Sequence, residues 1–131
     1  MEKYTIKEVS NKFGDILEEN NRVYLMKALS SLDKEIVDKI AEEVLFTDSR
    51  DGYAYHIPLN SRYLKERKSI IFLSYYLKEK TEEDAIKIIL HEIAHYYLNH
   101  KTLFDFPLDE IDKFYMQDKE ADKQVEEWLK K

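Results

Sequence analysis

Ile6, Val9, Phe13, Ile16 and Leu17 recur at helical spacing behind Thr5, and Thr5-Ile6-Lys7-Glu8 has the form of a capping box. The pattern predicts a first helix over about 5–19, weakened by Gly14 and stopped at Asn20-Asn21. Residues 22–29 are apolar without a decisive period. Leu32, Ile36, Ile40 and Val44 line one stripe, with Asp33, Lys34, Asp38, Lys39, Glu42 and Glu43 off it. This is a second helix, capped by Ser30 or Ser31 and ending near Phe46. TDSRDG at 47–52 is turn chemistry. Two stretches then change period. YAYHIPL at 53–59 reads as a short strand that Pro58 ends or confines to an edge, because proline cannot donate to a ladder. SIIFLS at 69–74 is β-branched and aromatic, the best strand candidate in the chain, and 60–68 between them is a polar loop. Residues 44–47 can supply a further strand.

Thr81-Glu82-Glu83-Asp84 opens a third helix with a cap and an acidic first turn. Ile86, Ile88, Ile89, Leu90, Ile93, Tyr97 and Leu98 place apolar groups almost all the way round it, so it should be central and buried. A connector at 101–108 contains Pro107, and Asp109 caps a last helix reaching about Lys130. These elements predict an α+β fold: a small, mostly antiparallel sheet packed against a central helix and further helices. Residues 1–131 form one domain, with 1–29 an N-terminal helix and connector of no assigned role. Only two glycines and two prolines in 131 residues agree with long elements and few tight turns.

The central helix carries His91-Glu92-Ile93-Ala94-His95, an HExxH pattern. Residues four apart share a helix face, so both imidazoles can bind one ion. A lone histidine on an apolar helix is usually a core residue; two at this spacing with Glu directly after the first point to a metal. Glu92 lies about 100° round from His91. From there its carboxylate can take a proton from a water whose pKa the ion has lowered. There is no cysteine, so thiolate sites and disulfides are excluded and any ion is held by His and carboxylates. His100 falls about 140° from His95 on a continued helix, off the face of the site. His56 sits in a strand with no fixed direction, and a bland role is expected for both. Lys101 and Leu98 stand where the metzincin pattern needs His and Gly, which excludes that family.

Catalytic zinc takes three protein ligands and keeps one position open. On the last helix Ile111, Phe114, Tyr115, Ala121, Val125, Trp128 and Leu129 define the apolar face. Measured round the helix from Asp118, Ala121 falls at about 300°, Asp122 at about 40°, Val125 at about 340° and Leu129 at about 20°. Both aspartates thus sit inside an apolar stripe, where a cation would account for them. Asp118 is the expected third ligand. Asp122 is expected behind it, accepting a proton from the far nitrogen of a ligating histidine. Glu120, on the wet side, is the fallback ligand.

HEIAHYYLNH at 91–100 followed by DKEADKQVEEWL at 118–129 resembles the gluzincin arrangement, and more narrowly the ImmA/IrrE-type metallopeptidases and the soluble minigluzincins. The resemblance covers about 69–129 and implies a zincin-like fold. It implies His91 and His95 as ligands, Glu92 as general base, Asp118 in the third-ligand place, Ala121 in the place of the alanine and Asp122 in the position that supports a ligand. Asp118 stands where those families usually carry Glu, and Ala94 where the ImmA/IrrE-type proteins often have Gly. The implied activity is a zinc-dependent endopeptidase whose substrate peptide adds to the sheet's edge strand. Tyr96, Tyr97, Tyr115 and His56 are candidates for the group that stabilises the carbonyl. The alternative is a regulatory or interaction module of the same fold that keeps Zn²⁺ without turnover.

Net charge is −6 with no basic run, which argues against a nucleic-acid partner. No stretch approaches a membrane span and the N-terminus has no apolar core segment, so the expected setting is cytoplasmic, with a peptide or protein as partner and no membrane.

Overall fold

The computed structural model describes residues 2–13, 17–49, 54–58, 69–100 and 108–130. Among them the chain forms helices α1 (Ile6–Lys12), α2 (Glu19–Ser30) and α3 (Lys34–Glu43), strands β1 (Val44–Ser49), β2 (Tyr55–Pro58) and β3 (Ser69–Ser74), then helices α4 (Glu82–Tyr97) and α5 (Ile111–Leu129). Short 3₁₀ turns at Tyr75–Glu79 and Leu108–Glu110 precede α4 and α5. The α+β expectation holds.

The capping box forms as read: the Glu8 amide donates to Thr5 Oγ1 and the Thr5 amide to Glu8 Oε1. The helix behind it ends at Lys12, however, well short of residue 19. Asn20-Asn21 is no stop but the first turn of α2, because the Glu18 carboxylate accepts from both of their amides. Ser30 and Ser31 do not cap α3. Their hydroxyls donate backward to the carbonyls of Lys27 and Ala28 and finish α2 instead, leaving Asp33 at the N-cap of α3. The predicted stripe of α3 stops at Glu43, and Val44 and Phe46 turn inward from β1. Asp109 likewise lies in a 3₁₀ turn, and Glu110 occupies the N-cap of α5. Residues 14–16, the polar loop 60–68 and the connector with Pro107 lie outside the described residues.

The sheet has the order β1-β3-β2 and is mixed rather than mostly antiparallel. β3 is central, parallel to β1 from Val44↔Ser69 to Ser49↔Ser74 and antiparallel to β2 from Tyr55↔Phe72 to Pro58↔Ser69. The parallel pair is the longer of the two. Parallel strands need a connection of about a dozen residues or more, and 50–68 has that length. Alternation put Val44, Phe46, Ile71 and Leu73 on one face, and all four are buried. Pro58 closes β2 at a sheet edge, where a missing N–H costs no ladder bond.

α4 packs against α5, α2, β2 and β3, so it is the central helix the pattern predicts. Thr81 caps it by accepting from the Asp84 amide, and Ala85, Ile89, Leu90, Ile93 and Ala94 are fully buried along it. Its outer side is wetter than the pattern suggests, with Tyr97 exposed. Asn21 ties α2 to the sheet. Its fully buried Nδ2 lies 2.9 Å from Asp48 Oδ1, 3.0 Å from the Ser74 carbonyl and 3.3 Å from the Leu73 carbonyl. Asn21→Leu would remove these three hydrogen bonds from a buried position, and stability should fall by about 1–3 kcal/mol, read as a lower urea midpoint at constant slope.

Candidate metal centre

The site is built by the facing sides of α4 and α5. Four-residue spacing places His91 and His95 on one face of α4, their rings 4.6 Å apart and nearly perpendicular. Their Nε2 atoms converge to 3.1 Å. Asp118 Oδ1, from α5, lies 3.3 Å from His91 Nε2 and 3.1 Å from His95 Nε2. Ala121, one turn further along α5, is fully buried, and its single methyl lets the two helices approach closely.

Hydrogen bonding assigns a tautomer. His91 Nδ1 is 2.8 Å from Asp122 Oδ1, and an ionised carboxylate only accepts, so the ring proton sits on Nδ1. In the neutral ring His91 Nε2 is then a lone pair aimed at Asp118 and His95. Burial, with the charges of His91 and His100, pulls His95 down to about 4 against the opposing pull of Asp118, so its imidazole is neutral near pH 7. Atoms this close are held together either by a proton on one of the two Nε2 atoms or by a cation among them. The spacing fits a cation: ligands about 2.05 Å from a tetrahedral ion lie about 3.3 Å apart. The ligand atoms of His91, Glu92 and His95 also lie within 4.8 Å of one another, a group able to hold a metal ion.

Glu92 is only 8 % exposed. Burial, and secondarily the Asp118 charge, pushes it up to about 8. A cation between the histidines and Asp118 would favour the ionised carboxylate and oppose both effects.

Asp118 and Asp122 are more open than the helical arithmetic implies, with side chains 66 % and 70 % exposed. The buried stripe of α5 is Gln117, Ala121, Val125 and Trp128, centred roughly 60° from Asp118. Tyr115 and Leu129, counted on the apolar face from sequence, are exposed. The aspartates therefore sit at the rim of the α4–α5 contact, and the site opens to solvent on their side. Glu120 does not join the three donor atoms; its carboxylate faces His100, Oε2 3.6 Å from Nε2.

Two histidines given bland roles lie beside the site. His56 is paired with Ile71 across β2 and β3, so both point to the same face, toward α4. Its ring stacks on His95 at 6.2 Å, and Nε2 is 2.9 Å from Ser69 Oγ. Burial, then the neighbouring His95 and His100, pulls His56 down to about 4. His100 returns over His95 because the helix ends before it, so the angle expected on a continued helix does not apply. Asn99 has φ 57°, and an Asn shortly after the last apolar residue was the legible signal for that turn. Among the proposed carbonyl donors, Tyr96 is held away by Glu43, to which it donates at 2.6 Å, and Tyr97 packs edge-on against Trp128.

No protein-family model, curated protein or solved structure matches this chain. No helix among the described residues is long and apolar enough to cross a membrane.

Proposed function

We propose that this protein is a zinc-dependent endopeptidase with a gluzincin-type site and a zincin-like fold, acting on peptide or protein substrates. The observation that carries the reading is the convergence of His91 Nε2, His95 Nε2 and Asp118 Oδ1 within 3.3 Å, with Glu92 beside them. Two imidazoles and one carboxylate suit Zn²⁺, and they are the residues that the resemblance to the ImmA/IrrE-type peptidases and minigluzincins implies. A bound zinc ion supplies Lewis acidity toward the scissile carbonyl and the attacking water. Glu92 takes the proton of that water and delivers it to the leaving amine nitrogen. Asp122 holds His91 in the tautomer that presents Nε2. The low-dielectric wall of α4 keeps Glu92 out of bulk water and strengthens its interaction with a cation.

An extended substrate would lie along β2, the edge strand that carries His56 to the site. His56 and Tyr115, one turn before Asp118, are the remaining candidates to stabilise the carbonyl oxygen. A metal-holding module without turnover is the second reading, favoured by the burial of Glu92.

Protein purified with zinc present should retain about one ion per chain by elemental analysis and cleave a denatured protein substrate, with cleavage lost to a chelator and restored by zinc. Metal content near zero after zinc addition would end both readings. Stoichiometric zinc without cleavage would leave the module.

A further inference from the structure

We infer that His100, backed by Glu120, is a positioning residue that fixes the tautomer and orientation of His95 toward the cation. The inference rests on the metal reading above and extends it to residues outside the ligand set. The end of α4 creates the contact. Leu98 is its C-cap, Asn99 is left-handed at φ 57°, the Asn99 amide donates to the Tyr96 carbonyl at 3.0 Å, and the His100 amide to the His95 carbonyl at 2.9 Å. This is a Schellman turn, which brings the second residue after the cap back over the third from the helix end. That pairing is often apolar. Here it joins two imidazoles, Nδ1 to Nδ1 at 2.8 Å with rings 5.0 Å apart.

Two facing ring nitrogens at hydrogen-bond distance share one proton, so one donates and the other accepts. If His95 Nδ1–H donates, His95 Nε2 is a lone pair aimed at His91 and Asp118. If His100 donates, His95 carries its proton on Nε2 and cannot ligate. With His95 as donor, His100 keeps its proton on Nε2. That atom is buried, has no hydrogen-bond partner among the described residues, and faces the Glu120 carboxylate at 3.6 Å. The negative charge of Glu120 favours a proton there and so selects the ligating tautomer of His95. Each histidine ligand thus has its own support from outside the site: Asp122 behind His91, and Glu120 through His100 behind His95. A merely space-filling side chain at 100 would be apolar, since a buried imidazole without a partner for Nε2 is costly.

The test compares wild type, His100→Phe, His100→Gln and Glu120→Gln by zinc affinity in chelator competition and by melting of the metal-free proteins. His100→Phe should weaken zinc binding about 10–100-fold without lowering the metal-free melting temperature. His100→Gln, whose amide oxygen can accept the His95 proton, should restore most of that loss, and Glu120→Gln should weaken binding by about three- to tenfold. Nitrogen-15 NMR of the zinc-loaded wild type should find His95 protonated at Nδ1 and His100 at Nε2, which reads the assignment without any variant. Zinc affinity within about twofold of wild type in both His100→Phe and Glu120→Gln would overturn the inference while leaving the metal centre standing, as would a zinc-bound His95 whose Nδ1 is bare. Failure of the wild type itself to bind zinc would instead remove the metal reading, and this inference with it.

Discussion

Glu92→Gln should leave zinc bound at near wild-type affinity and lower peptide cleavage by about 10²–10⁴-fold, the usual contribution of a positioned proton acceptor. The substitution keeps shape and burial while removing the carboxylate's basicity. Because Glu92 is not one of the three converging donor atoms, elemental analysis of the variant should match wild type. The fold should hold as well. A buried carboxylate pushed up to about 8 is a liability that a neutral amide relieves, so Glu92→Gln should melt no lower than wild type in its metal-free form. Equal cleavage by wild type and Glu92→Gln would remove the peptidase reading, because no other carboxylate on α4 faces the histidines. Loss of zinc together with activity would show Glu92 to be a ligand rather than a base.

Asp118→Ala should have the largest effect on the metal itself. It removes the only donor that α5 contributes to the three-atom cluster, leaving two imidazoles that face solvent on one side. Zinc affinity should fall on the order of a thousandfold, beyond the 10–100-fold typical of a supporting residue. The smaller loss expected for Glu120→Gln separates ligand from support two residues apart on one helix. Both carboxylates are exposed, so neither substitution should disturb folding, and chelator competition reads each directly. A greater loss from Glu120→Gln than from Asp118→Ala would reassign the third donor and reverse the facing of α5.

Local chemistry was the most legible part of this chain. The capping box at Thr5, the cap at Thr81, the edge position of Pro58 and the strand at Ser69–Ser74 all follow from short-range rules and stand as read. The structure brings His91, His95 and Asp118 together, with Asp122 on the far nitrogen of His91, but at the exposed rim of the α4–α5 contact rather than inside the buried stripe that helical spacing gave the aspartates. What escaped depends on long-range partners. Asn21 looks like a helix stop until Asp48 and the end of β3 supply buried acceptors for its amide. The parallel pairing of β1 with β3 depends on a crossover whose route no local pattern encodes. The exposure of Asp118 was missed because Tyr115 and Leu129 were counted as buried, although α5 turns only a narrow stripe toward α4. His100 escapes the pattern for a subtler reason: 100° per residue holds only within a helix, and α4 ends at Leu98.

The order of the donors along the chain has a consequence for biosynthesis. His91 and His95 leave the ribosome on one helix, and Asp118 follows only on the next. A nascent chain that has made α4 alone owns two imidazoles and Glu92 but lacks the Asp118 carboxylate of α5. On the proposed reading, hydrolytic competence is therefore withheld until translation has delivered α5 and that helix has docked, which spares the unfinished polypeptide, and its unfolded neighbours, from premature cleavage.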